Sequence, residues 1–201
     1  MSDRPSTPLP DESTRIKWDK IYGEEGQVGE AAFVLRENAH LLPRHGRSLD
    51  VACGLGSNAL FLARHGLSSY AWDISHVAIE KLGLAAGANQ ITVHTQARDV
   101  AAAPPSPESL EVIVVSFFLD RAIFPQIIAA LTPGGLLYYQ TYTRSRVDDS
   151  GPRNEDYRLA ANELLSLCRP LHVLAFREEG TAGDPARGLR NVSYIVAQRQ
   201  D

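Results

Sequence analysis

The chain has 201 residues, 44% of them hydrophobic, which fits one well-filled globular core better than two marginal ones. Lys plus Arg number 20 against 24 Asp plus Glu, a net charge of −4, so no basic footprint marks a nucleic acid or an anionic membrane as partner. Two cysteines, Cys53 and Cys168, outside any CxxC or Cys/His cluster, argue against a disulfide framework or a zinc site, and no apolar leader or membrane-length run occurs. These features predict a cytoplasmic protein, monomeric or homodimeric, whose partners are small molecules.

Residues 1–12, with three prolines, predict a disordered tail, and the remainder, 13–201, a single domain. Asp11 or Ser13 is placed to cap a helix through Ile16, Trp18 and Ile21 that stops at Gly23, and a second helix is predicted over 29–42. From residue 47 onward short β-branched runs alternate with helical patterns, the ordering of a Rossmann-like, doubly wound α/β sheet with helices on both faces. Strands are predicted at 48–52, 69–73, 91–94, 110–115 and 136–141, with helices at 58–65, from Ser75 through Leu82, and at 121–131. A helix at 160–168 and strands at 171–176 and 192–197 complete seven strands. The last two are joined without a crossover helix, so the final strand is expected to run antiparallel in a mostly parallel sheet.

The chemistry is concentrated in Asp50-Val51-Ala52-Cys53-Gly54-Leu55-Gly56-Ser57-Asn58, where a carboxylate near a strand end precedes two glycines and a helix. Gly54 and Gly56 allow a tight turn without side chains, so a ligand can lie directly on main chain in the crevice where open α/β sheets bind ligands. Asp73 closes the second strand at the offset where a carboxylate reaches a ribose. After the third strand, Arg98-Asp99-Val100 offers an Asp to an adenine amino group and backbone to the ring edge. Asp50, Asp73 and Asp99 together would frame a cationic nucleoside.

Leu49 to Asn58, Asp73, Asp99, the strand end from Val114 to Phe118, and Pro133-Gly134-Gly135 resemble, in order, the motifs of class I S-adenosylmethionine-dependent methyltransferases. Trp18-Asp19-Lys20-Ile21-Tyr22 and Gly151-Pro152-Arg153-Asn154-Glu155-Asp156-Tyr157 resemble the small bacterial group related to tellurite-resistance methyltransferases. The resemblance implies that S-adenosylmethionine is bound and leaves as S-adenosylhomocysteine. Asp50, with Ala52, Cys53, Gly54 and Gly56, and Asn58 behind them, would hold its amino-acid end. Asp73 would hold the ribose, and Arg98, Asp99 and Val100 the adenine, with Ile74 on the adenine face. Ser116 and Phe117 would line the space beside the sulfonium, and Trp18 and Tyr22 would close it from above.

Ala52 departs from the family, which usually has its first glycine there, and Ser116-Phe117-Phe118-Leu119 stands where base methyltransferases carry an Asn/Asp-Pro-Pro-Tyr/Phe element. Methyl transfer needs two reactants positioned in line, and a soft anionic acceptor needs no general base. Tyr22, Tyr142 and Arg153 are the candidate catalytic side chains. Arg144, Arg146, Arg153 and Arg158 are a local excess of arginine suited to an anionic or thiol-like acceptor of the tellurite or selenite type. Two rival readings are a non-catalytic S-adenosylmethionine-binding module and an NAD-dependent oxidoreductase, since Gly54-Leu55-Gly56-Ser57-Asn58-Ala59 also satisfies a relaxed dinucleotide fingerprint.

Overall fold

The computed structural model describes residues 12–24 and 26–200. The residues expected to form the tail, and Asp11 as a cap, therefore lie almost wholly outside the described residues. Helix α1 begins at Glu12 and runs to Glu24, one residue past the expected glycine stop, with Ser13 already inside it.

A seven-stranded sheet has the order β3-β2-β1-β4-β5-β7-β6. Its strands are β1 (Arg47–Val51), β2 (Ser68–Asp73), β3 (Val93–Ala97), β4 (Leu110–Ser116), β5 (Leu131–Tyr142), β6 (His172–Glu178) and β7 (Val192–Gln198). β1 to β5 pair in parallel, while β7 inserts antiparallel between β5 and β6, as the short final connection predicted. Alternation along the strands divides the core into two layers. Leu49, Val51, Ile113, Val115 and Leu137 point to one face, which α5 (Phe124–Ala130) and α6 (Glu163–Leu167) cover through Phe124, Ile127 and Leu164. Val112, Val114 and Tyr138 point to the other, covered by α2 (Phe33–Glu37) and α3 (Ser57–Arg64), while α4 (His76–Ala88) packs Leu82 and Ala86 beside Ala71.

Several boundaries differ from the expected ones for identifiable reasons. The helix expected over 29–42 is only α2 plus a 3-10 turn, Ala39–Leu41, because the Asn38 side chain donates to Val34 O at 2.9 Å and ends the helical ladder. β3 starts two residues late, since its Val-His-Thr-Gln-Ala sequence is the alternating pattern of an edge strand and not a buried apolar run. β5 begins at Leu131 and takes in Pro133-Gly134-Gly135. α6 spans five residues only, entered through Asn162 in the left-handed conformation.

Sheet order reverses between β1 and β4, so the carboxyl ends of these two strands diverge into a crevice, the position where doubly wound sheets hold ligands. A separate open hollow of about 430 Å³ lies at the amino ends of β2 and β3, bordered by Gly66, Ser68, Gln90 and His94. It lies at the sheet edge opposite the glycine turn, and no charged groups converge on it.

Candidate active site

The turn after β1 is built from three left-handed residues at alternate positions, Ala52 (φ 52°), Gly54 (φ 52°) and Gly56 (φ 80°). A side chain at Gly56 would overlap Leu82 of α4, and a Cβ at Gly54 would come within 2.9 Å of the Tyr22 hydroxyl, so both glycines permit close approaches. Ala52 adopts the same conformation at a strain of roughly 1–2 kcal/mol, which accounts for the family's preference for glycine there.

Asp73 closes β2 with Oδ2 accepting from Gly54 N and Oδ1 from Ser75 N, both at 2.8 Å. Burial raises its pKa against the bonds from Ser75, Gly54 and Ile74, and a carboxylate that can accept about four hydrogen bonds keeps acceptor capacity beyond these. Ile74 beside it is half-buried.

Asp50, expected to hold a ligand's amino-acid end, is bonded to the start of α3. Asp50 is 0% exposed, and its oxygens accept from Asn58 Nδ2 and Ala59 N, both at 3.2 Å, at the start of α3. On β1 it shares a face with Ser48, opposite Leu49 and Val51, and that face is the one α3 covers. Burial, opposed by these two bonds, pushes its carboxyl up to about 8. Asp50 holds the helix that holds the turn.

Asn58 is a hub. Its Nδ2 also donates to Ser116 Oγ at the end of β4 (2.8 Å), and its Oδ1 accepts from Ala32 N (2.8 Å). Gln140 Oε1 accepts from Val34 N at 2.9 Å, so the first free N–H groups at α2 are satisfied by amides from α3 and β5. Cys53, buried and desolvated, has its thiol pKa raised well above the ordinary value and is a packing group.

Arg98 and Asp99, expected at the adenine end, follow β3. The Arg98 guanidinium lies 3.9 Å from the Trp72 ring centroid and donates to Ala103 O and Pro104 O, holding the loop after β3 closed. Asp99 Oδ1 accepts from Ala101 N at 2.9 Å and Val100 is buried in the core, so these side chains shape that loop.

Helix α1 lies over the glycine turn. Trp18 and Tyr22, one turn apart, stack with centroids 5.6 Å apart, and Tyr22 abuts Gly54. Two charged residues not expected at the site anchor them. Asp19 Oδ1 accepts from Ser75 Oγ (2.6 Å) and Val77 N (3.3 Å) at the start of α4, and Lys81 donates to the carbonyls of Tyr22 and Gly23. Each charge meets the helix end of opposite partial charge.

Beyond β4, Phe117 is left-handed (φ 57°) and 48% exposed. Its N–H bonds Gln140 O at 2.8 Å, and Tyr139 Oη donates to the next carbonyl, Phe118 O. The Phe117 ring meets Tyr142 at 4.9 Å between centroids. Of the loop arginines, Arg158 is a clamp: 1% exposed, it donates to the carbonyls of Thr143, Ser150 and Pro152. Asn191, also unanticipated, fixes the same loop through Val147 N, Asp148 and Ser150. Arg144 and Arg146 face Glu155 O and Asp149, whereas Arg153 is exposed with no partner among the described residues.

A family pattern described as a methyltransferase domain matches residues 25–175. No curated protein sequence matches significantly. Among solved structures, TehB from Haemophilus influenzae is similar at a TM-score of 0.69 and 21% identity, covering 92% of this chain and 67% of that one. An S-adenosylmethionine-dependent methyltransferase from Methanosarcina mazei gives 0.64 and 20% over 86% and 99%. A TehB-like S-adenosylmethionine-dependent methyltransferase from Corynebacterium glutamicum gives 0.62 and 14% over 94% and 97%. With the antiparallel β7 in place of a plain six-stranded dinucleotide sheet, the nicotinamide reading falls away. The chain belongs to the methyltransferase-domain family and has the fold of the S-adenosylmethionine-dependent methyltransferases.

Proposed function

We propose that the protein transfers the methyl group of S-adenosylmethionine to a small, soft nucleophile that arrives already ionised, of the thiol or chalcogen-oxyanion kind. When bound, the cofactor supplies a methyl group on a sulfonium sulfur that departs as a neutral thioether. The residues fit such a ligand: Gly54 and Gly56 leave the turn's main chain without side chains of its own at those positions, covered at Gly54 by Tyr22 of α1, Asp73 retains acceptor capacity toward a ribose, and Ile74 offers an apolar surface. The loop backbone at 98–100 borders the adenine end, and Trp18 with Tyr22 excludes water from above.

One observation carries the acceptor class: the carboxyl ends of β4 and β5 present Ser116, Phe117 and Tyr142, with no positioned base among the described residues. No histidine occurs between His94 and His172. Asp120 and Asp148 cap turns at Ala122 and Ser150, Glu163 is paired with Arg121, and Asp50 is sealed. A nucleophile needing its proton removed finds no partner, so position and water exclusion supply the rate. Arg153 is the arginine available to an anionic acceptor.

Thermal-shift titration with S-adenosylmethionine, S-adenosylhomocysteine and NAD, followed by product detection with thiols and selenite, tests this reading. Stabilisation by the first two and methylated product are expected. Binding without turnover across the acceptors would favour a non-catalytic binding module.

A further inference from the structure

Phe117 combines features that a core phenylalanine lacks. Its backbone is left-handed, a conformation costly for a residue with a side chain, and nearly half its surface faces solvent. Three successive residues are pinned from two elements: Ser116 by Asn58 of α3, Phe117 by Gln140 O and Phe118 by Tyr139, both of β5. The strain is therefore imposed, and its result is an aromatic ring held outward at the sheet's switch point.

Tyr142 completes the surface. Phe117 stands on one side of its ring, Gly151 packs against it so closely that a Cβ would come within 2.6 Å, and the Arg158 guanidinium carbon lies 5.5 Å from its centroid. That buried guanidinium donates to three carbonyls, and the carboxylate that feels its charge, Asp148, is exposed and bonded instead to Ser150 and Asn191. A cation beside an aromatic ring makes the ring surface more hospitable to electron-rich and anionic groups.

We infer that Phe117 and Tyr142 form a platform for the acceptor and that the acceptor is an arenethiolate, a sulfur anion carried on an aromatic ring. This rests on the proposed methyl transfer to a soft nucleophile and narrows its substrate. An arenethiol is more acidic than an alkanethiol and is ionised near neutrality without a base. Its ring would stack on Phe117 while its charge is drawn toward Arg158. The thiolate sulfur contributes the electron pair of the new S–C bond, and the pair of the broken methyl–sulfur bond stays with the donor's sulfur. One cation and one anion become two neutral thioethers, and no proton moves. An inorganic oxyanion gains nothing from two aromatic rings.

The test uses the full chain with benzenethiol, 2-mercaptoethanol and selenite as probes. Calorimetry in the presence of S-adenosylhomocysteine should show benzenethiol binding at least tenfold more tightly than 2-mercaptoethanol. Phe117→Leu should cut that ratio about tenfold, the weight of one aromatic contact. Phe117→Gly should do the same while its melting temperature stays level or rises, because the left-handed strain is released. The ratio of kcat/KM values for the two thiols should follow the binding ratio. Equal binding of both thiols to the wild-type protein, or a ratio indifferent to Phe117→Leu, overturns the arenethiolate while leaving methyl transfer standing if selenite or 2-mercaptoethanol is converted. Failure of S-adenosylhomocysteine to bind overturns both.

Discussion

Ala52 shows how a single methyl group separates what a turn requires from what the sequence supplies. At φ 52° it bears about 1–2 kcal/mol of left-handed strain, while glycine in its place adds roughly 0.5–1 kcal/mol of unfolded-state entropy. Ala52→Gly is therefore expected to stabilise the protein by about 0.5–1 kcal/mol, read as a raised urea midpoint with unchanged slope. An unchanged or lowered midpoint would mean that the alanine methyl makes packing contacts that offset the strain. The presence of this turn was legible in the sequence because its chemistry is local: two glycines between a buried strand and a helix permit little else. The direction of Asp50 was also available, since strand alternation puts it with Ser48 on the face away from Leu49 and Val51. The functional resemblance drew attention to its charge and away from that parity. Arg158 was not legible, because burial of an arginine depends on three carbonyls that only the folded loop brings together.

Among the elements, α1 stands apart because it buries no residue completely and is held by polar contacts to α4. A helix so anchored opens at low cost compared with the sheet, and it must open, since Tyr22 covers Gly54 in the closed position. Asp19→Ala removes acceptors for Ser75 Oγ and Val77 N and leaves the sheet untouched. Amide exchange across residues 12–24 should rise several-fold, with little change in the global melting temperature, and S-adenosylhomocysteine should slow it again. Exchange as slow as in the wild type would show that the stacked Trp18 and Tyr22 hold the helix without Asp19. The amphipathic pattern predicted this helix but not its dock. Asp19 lay in full view inside Trp18-Asp19-Lys20-Ile21-Tyr22, yet its partner Ser75 is distant in sequence and was read only as a cap for α4, a role it fills by accepting from Ala78 N. The shortened α2 has the same origin, for its N-terminus is capped by Asn58 and Gln140 across the sheet and by no neighbour in sequence.

For the whole molecule, the buried carboxyls set the dependence of stability on pH. Burial pushes Asp50 up to about 8 and raises Asp73 as well, so across the range between the ordinary carboxyl value and 8 the native state holds protons that the unfolded chain has released. Stability must then fall as pH rises through that window, by roughly 1.4 kcal/mol per pH unit for one fully buried group. The opposite slope lies on the acid side, where the hydrogen bond from Arg121 lowers Glu163 and, against the cost of burial, the bonds from Ser75 and Val77 lower Asp19. Those carboxylates contribute stability that is complete above their unfolded values near 4 and lost as pH drops through their lower native ones. The two slopes meet close to the ordinary carboxyl values, which puts the maximum well below the usual neutral range. Urea midpoints at pH 5, 6 and 7 should decline in the wild type, and Asp50→Asn, which cannot ionise, should show a much shallower decline whatever its absolute stability. A wild-type midpoint that climbs from pH 5 to 7 would mean that Asp50 is already charged within the fold, its burial offset by more than the amide of Asn58 and the N–H of Ala59.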